Sequence, residues 1–344
     1  MNIEFHFYAI HHLCVQAGLS PREAETVAGS SQLVDEMLQP LDIRAGEACF
    51  HMRATQNYRF WNDSIRRHVY MPFHFIPGDP SRAEAERADG WSEPGIVTED
   101  SPNARSLLVD AFRSQNLFRI GIALHAYADT WAHQHFSANA GRANIVDPNS
   151  LLPPAGHLQV LSAPDDPGIT WEDGRLVPPL RRVVNSERFM TAARKIYRFI
   201  CTWRRRSFID EDYILEGLSR IWSAKTAGIR GGAARTARMG AYIVDLGVPP
   251  REAGLWLLEA GIPSPQGADD PFSSGYNKRE WIRSALPGAL FGTRMDGSGE
   301  EEGGARTHYV DRDRYEASRL HAWNEAAEAH LSVATALLST GGRI

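Results

Sequence analysis

The sequence predicts a mainly α-helical fold. Three observations carry that prediction: apolar residues recur at helical spacing, helix-start punctuation is frequent, and strict period-two alternation is almost absent. Residues 3 to 17 place His6, Ile10, Leu13 and Ala17 on one face of a first helix, with His11 and His12 on other faces as solvated or packing residues. Ser20, Pro21 and Glu23 then form a capping box with proline at the first helical position, which starts a helix over 21–38. Residues 54–70 and 103–136 also read as helical, the latter in two pieces broken near Gln115. From 137 to 185 the text turns irregular ("VDPNSLLPPAGH", "APDDPG", "VPP"), a loop long enough to suggest function. Phe189, Ala193, Ile196, Ile200 and Trp203 stripe a helix over 186–206. Further helices are expected near 211–224, 231–246, 250–260, 278–286 and 312–339, with a linker at 295–306.

The 344 residues suffice for one large domain or two ordinary ones. Residues 1–185 read as a helical core that holds the chemistry, and 186–344 as helices packed on that core in one globular unit. Hydrophobic content of 43% and charged content of 23% are those of a soluble protein, and no apolar run reaches the length of a membrane span. The first residues, "MNIEFHFYAIHHLC", lack a basic region and a small-residue cleavage site, so a cytoplasmic location is expected. Cys14, Cys49 and Cys201 are too scattered for a disulfide framework or a cysteine zinc site. A net charge of −5 gives no general attraction to nucleic acid or anionic membranes. The absence of HExxH argues against the commonest zinc proteases, and the absence of an adjacent His-Asp pair against His-Asp phosphohydrolases.

Histidine is the anomaly. Of 13 histidines, ten lie from His6 to His157 and none between His157 and His308, which points to chemistry in the first half. The stretch "IGIALHAYADTWAHQHF" (120–136) is apolar on most sides of a helix yet carries His125, Asp129, His133 and His135. At about 100° per residue, His125 and Asp129 lie one turn apart and can grip one ion together. A buried aspartate needs a compensating charge, and a divalent metal beside histidine supplies it. If the helix stays regular, His135 points to another side and reaches a second ion, so a multi-metal cluster is expected. The plainer reading of any one of these histidines is a hydrogen-bonded core residue. Candidate partners upstream are His6, Asp35, His51 and His74; downstream, His157 lies eight residues before Asp165.

His125, Asp129 and His135, spaced as His-x3-Asp with another His ten residues after the first, resemble the central motif of the zinc-dependent phospholipase C / P1 nuclease family. The resemblance covers about residues 1–170 and implies an all-α bundle with two or three zinc ions in a cleft. It implies that Asp129 bridges two ions and that His125, Asp35 and His51 complete a pair site. It further implies that His135 and His157 hold a separate zinc, and that His6 with the N-terminal amine holds the remaining one. Where the family has an acid four residues after the later histidine, position 161 is Leu; Asp165, Asp166 or His133 can substitute. His74 is a further ligand or a neighbour of ligands. The stretches "FHFYAI", "SQLVDE", "PFHFIPG" and "GIALHAYADTWAHQHF" are also similar to a bacterial family of about this length.

The expected function is therefore metal-dependent hydrolysis of a phosphodiester, in a phospholipid headgroup or a nucleic acid, with Asp35 ligating or orienting the attacking water. Tyr8 and Tyr127 are candidates to steady the imidazoles. Arg188, Arg194, Lys195, Arg198 and Arg204 to Arg206 would offer an anion-facing surface, or only a solvated helix face. Phe73, Phe75 and Trp171 would stack on a base or contact lipid, or serve as core. The alternatives are a non-catalytic helical interaction protein stabilised by its metal, and a metallohydrolase acting on another bond. Another divalent metal can replace zinc, and nothing in the sequence names a protein partner.

Overall fold

Helices make up most of the chain in the computed structural model, which describes residues 1–57, 62–224, 232–263 and 305–340. The first helix opens as a π-helical turn, Glu4–Ala9, and continues as α1 (Ile10–Gln16). α2 (Pro21–Glu36) starts at the expected capping box: the Glu23 amide donates to the Ser20 hydroxyl at 3.3 Å, and the Ser20 amide to the Glu23 carboxylate at 2.7 Å. A hairpin of β1 (Leu41–Ala45) and β2 (Ala48–Met52) follows. Next come α3 (Asp63–Ile65), a π-helical turn Arg66–Tyr70, and α4 (Met71–Phe73). The helix expected over 54–70 is thus shifted: 54–57 are not helical, and the helical run ends at Phe73.

α5 (Pro80–Glu86), α6 (Pro102–Arg113) and α7 (Leu117–Ala132) complete the first half. The break between α6 and α7 falls at Gln115, whose φ is +58°, and Asn116 caps α7 by accepting from the Arg119 amide at 3.1 Å. The long loop holds a small hairpin, β3 (Thr170–Glu172) with β4 (Arg182–Val184). Then follow α8 (Asn185–Trp203), α9 (Glu211–Ser223), α10 (Gly232–Leu246), α11 (Leu255–Glu259), β5 (Arg306–Tyr309), α12 (Arg312–Glu316) and α13 (Arg319–Thr340). The expected helix at 278–286 lies outside the described residues, as does all of 295–306 but its last two positions.

α7 is the central helix. Every residue from Ile120 to Ala132 is buried, and the helix packs against α2, α6, α8 and α13. One apolar cluster runs from Phe5, Leu107 and Tyr127 to Phe189, Ile196, Leu218 and Tyr242, so residues on both sides of position 186 share a core. The approach of α7 to α2 depends on Gly121, where a Cβ would lie 2.2 Å from the Val27 carbonyl oxygen and 2.6 Å from the Ser30 Cβ. One turn further along α7 comes His125.

A second apolar cluster, with Leu33, Ile43, Met52, Tyr315 and Trp323, lies beneath a three-stranded sheet ordered β2-β1-β5. β1 pairs antiparallel with β2 and parallel with β5. The register sets Asp42 opposite His51 on the outer face. Among the described residues no helix is long and apolar enough to cross a membrane.

The basic face of α8 is not a free anion surface. Arg188 donates to the carbonyls of Trp131 and Ala132, capping the end of α7. Arg194 and Arg198 pair with Glu211, and Lys195 lies 2.9 Å from Asp100. Of the basic residues expected to face an anion, Arg204, Arg205 and Arg206 remain exposed beyond the helix end.

Candidate metal centre

Packing of α7 on α2 sets the first part of the site. The His125 Nδ1–H donates to the Ser31 carbonyl at 2.8 Å, which turns Nε2 inward toward Asp129, 3.3 Å away, and Asp35, 3.8 Å away. His74, just past α4, donates from Nε2 to the Thr55 carbonyl at 2.8 Å. Its Nδ1 then faces Asp129 at 3.1 Å, Asp35 at 3.9 Å and His125 Nε2 at 3.2 Å. His6, carried by the opening π-helical turn, stacks on His125 with ring centroids 3.8 Å apart. Neither of its ring nitrogens has a hydrogen-bond partner, although Nε2 stands 3.2 Å from Asp129 Oδ1. Single π-helical turns are frequent at functional sites.

A second part of the site lies past the end of α7. His133 donates from Nδ1 to the His74 carbonyl at 2.8 Å and presents Nε2 to Asp165 at 3.3 Å. His157 donates from Nδ1 to the Leu161 carbonyl at 2.6 Å and presents Nε2 to the other Asp165 oxygen at 3.5 Å. Phe75 stacks on His133, and His133 on His157, at 4.5 and 4.8 Å between centroids. The Met1 α-amino nitrogen joins the two parts, contacting Asp129 and lying 3.3 Å from Asp165.

Three groups therefore have the geometry to hold a metal ion: His6, His125 and Asp129; Asp35, His74 and His125; and His133, His157 and Asp165. His125, His74, His133 and His157 each donate one ring nitrogen to a backbone carbonyl, which can only accept. In neutral rings the inward nitrogens are therefore lone pairs. They face one another and three carboxylates, an arrangement that calls for cations between them.

The electrostatics follow the same logic. Burial pushes His6 down to about 4, helped by His125 and the Met1 amine against the pull of Asp129. His157 is also lowered, chiefly by burial. For His74, burial is outweighed by the hydrogen bond and charge of Asp129 and by Asp35, so its affinity for a proton is raised. Burial would raise Asp129, but the amine and the surrounding imidazoles hold it well below the usual carboxylate range. Asp165 is held down in the same way against its burial, by His157, the amine and His133. The amine itself loses to burial but gains more from Asp129, Asp165 and Asp35, which carry it up to about 10. One ammonium opposite three carboxylates leaves the pocket net negative.

The structure brings His6, Asp35, His125, Asp129 and His157 together, and with them His74, His133 and Asp165. Two expected ligands lie elsewhere. His51 is exposed on β2 and pairs with Asp42 at 2.9 Å, because the hairpin register turns it outward; His74 stands beside Asp35 in its place. His135 does not continue α7. The helix ends at Ala132, and the His135 amide bonds to the Val97 carbonyl with φ of +63°, sending the ring to Glu86 at 3.2 Å. His133 lies near Asp165 instead. Asp166 pairs with Arg238 and not with His157.

Neither tyrosine steadies a ligand ring. Tyr8 stacks on Tyr242, and Tyr127 donates to Asp100. Phe73 is core against His330 and Trp171 packs near Phe136, so of the three aromatics only Phe75 touches the cluster.

A family model matches residues 1–338 of the chain. The protein belongs to DUF6765, a family of unknown function. No curated protein and no solved structure matches the chain. For this DUF6765 member, the side-chain geometry is what bears on function.

Proposed function

We propose that the protein is a multi-zinc hydrolase of phosphodiester bonds, built on a helical bundle of the phospholipase C / P1 nuclease type. The observation that carries this reading is the set of bare imidazole nitrogens converging on shared aspartates, above all His125 and His74 around Asp129. Imidazole and carboxylate are ordinary zinc ligands. Bound zinc would supply Lewis acidity to a phosphoryl oxygen and a water of lowered pKa.

The chain's own residues supply the rest. His6, His74, His125, Asp129, His133, His157 and Asp165 hold and orient. Their backbone bonds fix each ring before any ligand arrives. Asp35, at 17% side-chain exposure, stands at the solvent edge beside the deeply buried Asp129, where its carboxylate can orient an incoming water and accept its proton. Asp165 and His157 form another partly exposed edge, at 17% and 16%. Phe75 closes the flank of His133 with an apolar ring.

The test is metal analysis followed by assay. Purified protein should carry more than one equivalent of zinc and should hydrolyse bis(p-nitrophenyl) phosphate in a chelator-sensitive way. Phosphatidylcholine vesicles and single-stranded DNA, assayed in parallel, distinguish the phospholipid from the nucleic acid substrate. Absence of metal in the folded, untreated protein would remove the reading. A second reading, a non-catalytic centre that stabilises the fold, is favoured by the complete burial of His6 and His125. Bound zinc with no hydrolysis of any of the three substrates would select it.

A further inference from the structure

Beyond the ligands, one buried arginine ties together two chain segments on which the centre depends. Arg238, on α10, is 5% exposed. Its Nε donates to Glu4 Oε2 at 2.8 Å, and its Nη2 donates to Glu4 Oε1 at 2.8 Å and to Asp166 Oδ1 at 2.6 Å. Glu4 is fully buried and shares the π-helical turn with His6. Asp166 directly follows Asp165, and its carbonyl accepts from Asn185 Nδ2 at 2.8 Å. The arginine thus clasps the segment carrying His6 to the segment carrying Asp165.

Two features show that the clasp is fitted. A Cβ at Gly168 would lie 2.5 Å from Arg238 Nη1, so a residue without a side chain lets the guanidinium reach this loop. The Gly168 amide also donates to the Asp166 oxygen that Arg238 uses, at 2.8 Å. A buried ion triad is weak support for stability, since apolar residues of similar volume often do as well. Its distinctive output is register. Arg238 is the element common to the His6 turn and the loop of Asp165, and only its planar fork serves both carboxylates.

We propose that Arg238 is a positioning residue for the metal centre. It holds the 165–168 loop against the opening turn so that the His133, His157 and Asp165 group closes beside the His6, His125 and Asp129 group. This rests on the reading that these groups hold metal ions.

The experiment compares wild type with R238K and D166A, using the full chain. Zinc is counted after dialysis, affinities are read by chelator competition, and the cobalt(II) absorption spectrum and the melting temperature of the metal-free protein are recorded. D166A leaves the paired bonds between Arg238 and Glu4 in place. Both variants should bind the ion held by Asp165 roughly 10- to 100-fold more weakly, the usual cost of losing an outer-shell contact. They should alter the cobalt spectrum while the Asp35, His74 and His125 group keeps its ion. Folded variants with wild-type stoichiometry, affinity and spectrum would overturn the positioning role. So would failure of both to fold, which would assign the clasp to folding alone; if only R238K fails, D166A decides. Wild type without metal would instead remove the metal reading itself.

Discussion

His125 Nε2 stands 3.2 Å from His74 Nδ1, and each ring's other nitrogen donates to a backbone carbonyl. Two lone pairs at that distance, both within 3.3 Å of Asp129 Oδ2, repel unless a proton on His74, whose affinity for one is raised, or a metal ion lies among them. The carbonyl partners are buried, so the rings cannot relieve the repulsion by flipping without orphaning a buried N–H.

Substitutions should therefore separate the converging residues from the outlier. D129N should lose metal and any hydrolytic activity together, since Asp129 faces His6, His74 and His125 at once. H74A should weaken zinc binding on the order of 100-fold or more, above the usual cost of an outer-shell change. H51A, altering an exposed residue paired with Asp42, should leave zinc content unchanged. Equal zinc loss in H74A and H51A, measured by elemental analysis of folded protein, would contradict the assignment.

Metal removal should also cost stability. Without cations, Asp35, Asp129 and Asp165 face one another across the pocket with the Met1 amine as the positive charge between them. Ligand linkage gives about 2.7 kcal/mol per site at a free ion concentration of 100 times Kd. The melting temperature should fall on chelation and rise again with added zinc, in proportion to the logarithm of its concentration. A melting curve indifferent to both would mean that zinc does not bind the folded chain in preference to the unfolded one.

What the sequence made legible was whatever a regular helix carries. His125 and Asp129 converge because α7 is regular between them, and the apolar residues around them announce its burial. His135 fails for the complementary reason. The bond from its amide to the Val97 carbonyl ends the helical path, and no local glycine or proline marks that stop. His51 fails on strand direction, and there a signal existed: "LDIRA" alternates just before Gly46, whose φ of +64° makes the turn. The contribution of His74 depends on how α4 folds back over α7, a tertiary contact that spacing does not encode.

Acid should destabilise the protein through a histidine that is not one of the converging residues. His330 is buried on α13 and donates from Nε2 to the Pro72 carbonyl at 3.0 Å. Burial holds it down at about 4, below an ordinary value of 6.5. The native state thus favours the neutral ring, so its contribution is full above pH 6.5 and is lost as the pH falls toward 4. A shift of this size corresponds to roughly 3 kcal/mol once titration is complete. Chemical denaturation between pH 7 and 4 should show wild type losing stability faster than H330Q, whose amide can keep the bond to Pro72. Glu211 and Asp89, held by arginines at about 2, act below this window; His6 and His11, also at about 4, act within it but are common to both proteins. Parallel pH curves for the two proteins would dismiss His330 as the source.

The distance between α2 and α7 offers the sharpest test of how fold sets site. At Gly121 an added methyl would meet the Val27 carbonyl at 2.2 Å, which is backbone and cannot swing away. G121A should therefore push the helices apart, at about 1–3 kcal/mol for overpacking. It should also lengthen the bond from His125 to the Ser31 carbonyl, which originates one turn away and fixes the inward nitrogen. Zinc affinity should drop along with stability. Gly240 is the control: it lies inside α10, and a Cβ there would meet nothing within 4 Å. G240A should leave zinc affinity unchanged and stabilise by up to about 1 kcal/mol from helix propensity. If G121A and G240A bind zinc equally well, close packing of α2 on α7 is not what aims His125 at its partners.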